Sequence, residues 1–221
     1  MKYKGIIFDM DGTLLDSMEM WRGLDRRFLR ENGIEPPADI SEIVKNMTVE
    51  RSAEYFTERF SLNMTPQQVI ERVEAIATDE YRFYLPLKDG AKAFLEQAAA
   101  RKIPCALASV TYRSLLDAAL ERLGIAQYFK TVLTPDAEIA GKHDPAIYRK
   151  AAEILGTAPA ETIVIEDALY AAETAKQAGF FTVGFRDITG KEEWEKLTAL
   201  CDITVDTWQA LAEALNMSAS E

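Results

Sequence analysis

The chain has 221 residues, 48% of them hydrophobic, and a formal net charge of -11 from 36 acidic against 25 basic side chains. That length accommodates one large domain or two small ones, and the acidic balance excludes nucleic acid or an anionic membrane as main partner, since both call for clustered Lys and Arg. Two cysteines without ligand-like spacing and a single histidine exclude the common structural zinc sites; with no leader-like segment and no run of ~20 apolar residues, a soluble, reduced, cytoplasmic chain is the expectation.

The first element is a short apolar run, Ile6, Ile7 and Phe8, which stops at Asp9, Met10 and Asp11 and turns at Gly12. A continuous apolar run of β-branched and aromatic residues predicts a parallel strand covered on both faces. Ligands bind beyond the carboxyl ends of such strands, so Asp9 and Asp11 fall where a catalytic site is expected. Next, Asp16 and Glu19 with Trp21, Leu24 and Phe28 at helical spacing predict a capped amphipathic helix. Ile40, Ile43, Val44 and Met47 share one helical face, and Ala53, Phe56 and Phe60 another. Thr65-Pro66 with Gln68 caps a fourth helix carrying Val69, Val73, Ile76 and Ala77. No strand pattern interrupts this series, which ends at Leu85-Pro86-Leu87-Lys88-Asp89-Gly90.

From Gly90 the pattern alternates. A helix through Phe94 and Leu95 precedes a strand over 103–108, and a helix over 116–123 closed by Gly124 precedes a strand over 131–133. A helix over 145–155, strand over 162–165, helix over 168–178 and strands over 181–185 and 203–205 follow. This alternation predicts an α/β fold with a doubly wound parallel sheet. The core is expected over 1–16 and 87–221, with an inserted all-helical cap domain over 17–86.

Asp9-Met10-Asp11-Gly12-Thr13 is also the signature that the haloacid dehalogenase superfamily carries, and the layout resembles its helical-cap subgroup, which contains phosphoglycolate phosphatase and β-phosphoglucomutase relatives. The resemblance covers essentially the whole chain and implies a Rossmann-like core and magnesium-dependent phosphoryl transfer. Asp9 is the expected nucleophile, because a carboxylate ionised at neutral pH attacks phosphorus without a base and forms an aspartyl phosphate. By resemblance its second oxygen binds magnesium. Asp11 carries over as general acid and base, with its backbone carbonyl as a metal ligand. Capping the following turn is the plain alternative for both acids.

Ser109, after Cys105-Ala106-Leu107-Ala108, resembles the second motif, whose hydroxyl donates to the transferring phosphoryl group; a helix cap is its alternative role. Gly12, Thr13 and Arg113 join it as candidates for phosphate binding, although Arg113 reads equally well as a solvated first-turn residue, and Thr111 lies in the same loop. Lys142, in Gly141-Lys142-His143-Asp144-Pro145, resembles the Gly-Lys-Pro third motif and would relieve repulsion between nucleophile and phosphate. His143 stands where that motif has proline, which leaves the loop's shape open. Glu166-Asp167 ends an apolar strand as in the fourth motif, with Ala168 and Ala171 replacing a usual serine and glycine.

Four carboxylates, Asp9, Asp11, Glu166 and Asp167, are thus expected at one sheet edge, and hard oxygen donors of that kind suit Mg2+. A small phosphorylated metabolite, either a sugar phosphate or a phosphoglycolate-like acid, is the expected substrate, and nothing in the sequence speaks to oligomeric state. A β-phosphoglucomutase-like phosphomutase is disfavoured because Trp21 stands where the mutase type has a histidine, and Val49 or a neighbour where it has an arginine. A catalytically silent phosphometabolite-binding module is the other alternative. Trp21, Lys45, Arg51 and Trp194 are candidates for substrate recognition, with packing or solvated surface the plainer expectation for each.

Overall fold

The structure, a computed structural model, describes residues 3–44, 47–137, 139–187 and 191–217. The chain divides into two compact units, one of Met18–Tyr84 and the other of Met1–Ser17 with Leu85–Glu221.

The unit Met18–Tyr84 is helical, with α1 (Met18–Glu31), α2 (Ile40–Val44), α3 (Val49–Arg59), α4 (Pro66–Asp79) and a π-helical turn over Glu80–Tyr84. Leu24, Phe28, Leu29, Ile40, Ala53, Phe56, Val69 and Ile76 form its core. Helix α4 opens with a capping box: the Thr65 side chain accepts from the Gln68 N–H, and the Gln68 side chain accepts from the Thr65 N–H. Such a cap contributes about 1 kcal/mol. The apolar face expected over 40–47 is cut short. Helix α2 is a bare turn, and Thr48 accepts from Arg51 N–H to begin α3, leaving Met47 off any helix. Lys45 lies outside the described residues.

The other unit is built on six parallel strands, β1 (Gly5–Phe8), β2 (Cys105–Ala108), β3 (Phe129–Leu133), β4 (Thr162–Glu166), β5 (Phe181–Phe185) and β6 (Ile203–Val205). Their spatial order is β3-β2-β1-β4-β5-β6. Strands β1 and β4 are buried at every residue, as apolar runs flanked by helices on both faces must be. Strand β2 begins two residues later than the apolar run suggests, because Pro104 has no N–H to give a ladder.

The helices of this unit are α5 (Ala91–Ala100), α6 (Arg113–Leu123), α7 (Ala146–Leu155), α8 (Leu169–Gln177), α9 (Lys191–Leu200) and α10 (Trp208–Ala214). Side chains alternate across the sheet. Ile7, Ala106 and Val164 pack with Ile147, Ala151 and Leu155 of α7 and Ala175 of α8. Phe8, pointing the other way, meets Phe94 at 6.0 Å, Phe129 at 5.9 Å and Trp208 at 5.8 Å between ring centroids. Helices α9 and α10 were not among the expected elements. Trp208, Leu211 and Ala212 bury one face of the two-turn α10, which Thr207 caps by accepting from Ala210 N–H. Among the described residues, no helix is long and apolar enough to cross a membrane.

The strand order reverses between β1 and β4, the crevice where open α/β sheets bind ligands. Phe8 pairs with Leu107 on one side and Ile165 on the other, so Asp9, Ala108 and Glu166 leave the sheet at one level.

Candidate active site

Asp9, Glu166 and Asp167 converge at that crevice, each offering a carboxylate oxygen within 4.8 Å of the others, and all three are buried. The backbone explains the convergence. Asp9 N–H donates to the Ile165 carbonyl at 3.0 Å, extending the β1–β4 ladder by one residue into the site. Gly12 turns the chain at φ +82°, and a side chain there would collide with the Asp167 carboxylate. Both the left-handed backbone and the close approach therefore demand glycine.

Lys142 reaches the same cluster from the loop before α7. Its ammonium, with the side chain 3% exposed, pairs with Asp9 Oδ1 and lies 2.7 Å from Glu166 Oε1. Burial alone would push this ammonium's pKa down. The Asp9 and Glu166 carboxylates more than reverse that, so it is held above its ordinary value. The acids show the complementary strain. Burial raises Asp9, with Lys142 opposing and Asp11 adding to the rise. Burial pushes Glu166 up to about 8 against the pull of Lys142, and burial with the Asp9 and Glu166 charges raises Asp167 well above the usual carboxylate range.

Three buried carboxylates facing one ammonium call for further positive charge. Glu166 Oε2 is buried without a hydrogen-bond partner among the described residues. A hard-oxygen donor set with an orphaned carboxylate oxygen fits a divalent cation.

The Asp11 carboxylate is not among the side chains of that cluster. Its Oδ1 accepts from Ser17 Oγ at 2.7 Å and its Oδ2 from Thr111 Oγ1 at 2.7 Å. Ser109 is buried at the end of β2; its N–H donates to the Leu133 carbonyl, and its Oγ accepts from Thr111 N–H at 3.2 Å. Thr13 is fully buried, with Oγ1 lacking a hydrogen-bond partner among the described residues. Among the described residues, the contacts of Arg113 lead away from those acids: it pairs with Asp117 at 2.8 Å and donates to the Val132 carbonyl at 3.2 Å.

Several contributors were not expected from sequence. Tyr148 on α7 donates from its hydroxyl to Glu166 Oε1 at 2.8 Å, and burial together with that carboxylate drives the phenol pKa far up, so it stays a donor. Asp187, just past β5, adds to the rise at Asp167 and pairs with Lys88 at 2.9 Å. Tyr148 falls at a helical core position between Ile147 and Ala151, which disguises a polar role as packing. Asp187 two residues past an apolar strand was the one readable signal. Of the recognition candidates, Trp21 donates to Tyr81 Oη at 3.1 Å within the helical unit and Arg51 pairs with Glu54 at 3.0 Å. Trp194 carries the Arg186 guanidinium over its ring at 5.4 Å.

A family profile described as haloacid dehalogenase-like hydrolase matches residues 3–179. The chain is 29% identical over 210 residues to validoxylamine A 7'-phosphate phosphatase of Streptomyces hygroscopicus subsp. limoneus, covering 93% of this chain and 97% of the relative. It is 27% identical over 189 residues to fructose-1-phosphate phosphatase of Escherichia coli (strain K12), covering 84% and 97%. A crystal structure of a putative β-phosphoglucomutase from Thermotoga maritima superposes with a TM-score of 0.84 at 24% identity, over 98% of this chain and 100% of that one.

Proposed function

We propose that this chain, which belongs to the haloacid dehalogenase-like hydrolase family, releases phosphate from a small phosphorylated sugar or short acid by way of an aspartyl phosphate on Asp9. It is an enzyme of the phosphoric monoester hydrolase class. The observation that carries the proposal is the buried meeting of Asp9, Glu166 and Asp167 around Lys142 at the β1–β4 crevice. The names of the two phosphatase relatives support a phosphorylated carbohydrate as substrate.

In this mechanism an Asp9 carboxylate oxygen attacks phosphorus while the bond to the leaving alcohol breaks. Asp11 gives that alcohol its proton. It then takes a proton from the water that attacks the aspartyl phosphate, regenerating Asp9 and releasing inorganic phosphate. To do so it must free the oxygen that Ser17 holds, while Thr111 keeps the other in place. Lys142 offsets the repulsion between Asp9 and the phosphoryl oxygens, and Ser109 with the Gly12–Thr13 turn donates hydrogen bonds to them. Arg113, held by Asp117 and Val132, serves this scheme only after leaving those partners.

Asp9, Glu166 and Asp167, with the Asp11 main-chain carbonyl, would hold Mg2+, whose charge lets the anionic phosphate enter beside three carboxylates. The helical segment over 17–86 is proposed as a cap that selects the leaving group and excludes water from the core over 1–16 and 87–221.

The test is phosphate release from a panel of sugar phosphates, phosphoglycolate, nucleotides and an aryl phosphate, with Mg2+ or EDTA, for wild type and Asp9→Asn. Magnesium-dependent release that Asp9→Asn abolishes is expected. Interconversion of sugar phosphates without release would instead establish a mutase, and binding without turnover a silent module.

A further inference from the structure

Lys142 sits on the loop between β3 and α7. Gly141 before it stands at φ +119°, a conformation open to glycine, and α7 begins only at Ala146. Its long flexible side chain must nonetheless hold an ammonium between Asp9 and Glu166. A donor that must meet two carboxylates at once tolerates little drift of the loop that carries it.

The next residue supplies a tether. The His143 ring, on an exposed residue, lies on the ring of Tyr170 with centroids 4.4 Å apart and planes 26° from parallel, a stacked pair. Tyr170 is 37% exposed and stands in the first turn of α8, three residues past Asp167 and four past Glu166. The pair therefore joins the loop that delivers Lys142 to the helix start that follows Glu166 and Asp167. Burial raises the Tyr170 phenol, and Lys142, Glu166, Asp9 and Asp167 all act on it, which places the ring within electrostatic reach of the whole cluster.

We propose that the His143–Tyr170 stack is a positioning element that pins the Lys142 loop to α8 and so sets the ammonium against Asp9 and the substrate phosphate. The inference rests on the proposed role of Lys142 toward phosphate. Its chemistry is that of two ring faces, so neither the imidazole nitrogens nor the phenol hydroxyl is required. Because the phosphate is common to every substrate, loss of the stack acts alike on all leaving groups.

The test compares His143→Ala and Tyr170→Ala with His143→Phe and Tyr170→Phe. One measurement is kcat and KM on a sugar phosphate and on an aryl phosphate; the other is calorimetric affinity for inorganic phosphate with Mg2+ present. The alanine variants are expected to lose roughly ten- to a hundredfold in kcat on both substrates and to bind phosphate more weakly, with an unchanged circular dichroism spectrum. The phenylalanine variants are expected to stay within roughly threefold of wild type, since they keep the stacked faces. Unchanged kcat and phosphate affinity in the alanine variants would overturn the inference. So would a loss confined to one leaving group, or phenylalanine variants as damaged as alanine ones. If wild type releases no phosphate from any substrate, the functional proposal fails by itself, and the phosphate affinities still decide the role of the stack.

Discussion

Thr111 Oγ1 donates to Asp11 Oδ2 at 2.7 Å across one hundred residues of sequence, while Ser17 Oγ holds the other carboxylate oxygen. The loop after β2 thus orients a carboxylate delivered by the turn after β1. A hydrogen bond to a charged group is worth about 1.5–3 kcal/mol, so losing it weakens orientation of Asp11 measurably. Thr111→Val is therefore expected to lower kcat about tenfold with little change in KM, and Asp11→Asn to lower it by ~10²-fold or more. Steady-state kinetics on the best substrate of the panel check this, and an unchanged kcat in Thr111→Val would remove Thr111 from the orientation of Asp11.

Tyr148 supports Glu166 from behind. Its hydroxyl and the Lys142 ammonium share Oε1, leaving Oε2 as the orphaned oxygen available to a cation. Partners of this kind are worth roughly 10–100-fold in metal affinity. Tyr148→Phe should raise the half-saturating Mg2+ concentration by that order, with activity largely recovered at saturating metal. Titration of phosphate release against Mg2+ is the measurement, and an unshifted curve would contradict the assignment.

Part of the stability lost on acidification should come from Asp202. Burial pulls this carboxyl up, but the Lys176 ammonium at 2.5 Å and the Thr182 amide and hydroxyl outweigh it, so its pKa lies below the ordinary value. A carboxyl depressed in the folded state takes up its proton more readily when unfolded. Its contribution is therefore present above the ordinary carboxylate range and is lost as pH falls through that range to the folded value. Urea midpoints for wild type and Asp202→Asn should differ most near pH 7 and converge toward pH 3. A gap independent of pH would show that the ion pair is not the source.

Legibility followed the range of the interaction. The Thr65–Gln68 capping box was readable because its partners lie three residues apart. Strands β1 and β4 were readable because burial on both faces leaves Ile6-Ile7-Phe8 and Ile163-Val164-Ile165 as unbroken apolar runs just before an acid. Helix α10 was missed although Thr207 is an ordinary cap, since seven residues give too few turns for an apolar period to declare itself.

By itself the sequence determined the alternation that makes a parallel sheet, the helical block inserted after the first strand, and the placement of Asp9, Ser109 and Glu166-Asp167 just past apolar runs. These follow from local period and turn chemistry. Only the tertiary structure decided that Lys142 lies between Asp9 and Glu166, that Tyr148 faces Glu166, that Thr111 reaches Asp11 and that His143 stacks on Tyr170. Each of those contacts depends on which helix covers which strand and in what register. That is settled by packing summed over the whole core, which no short stretch of sequence contains.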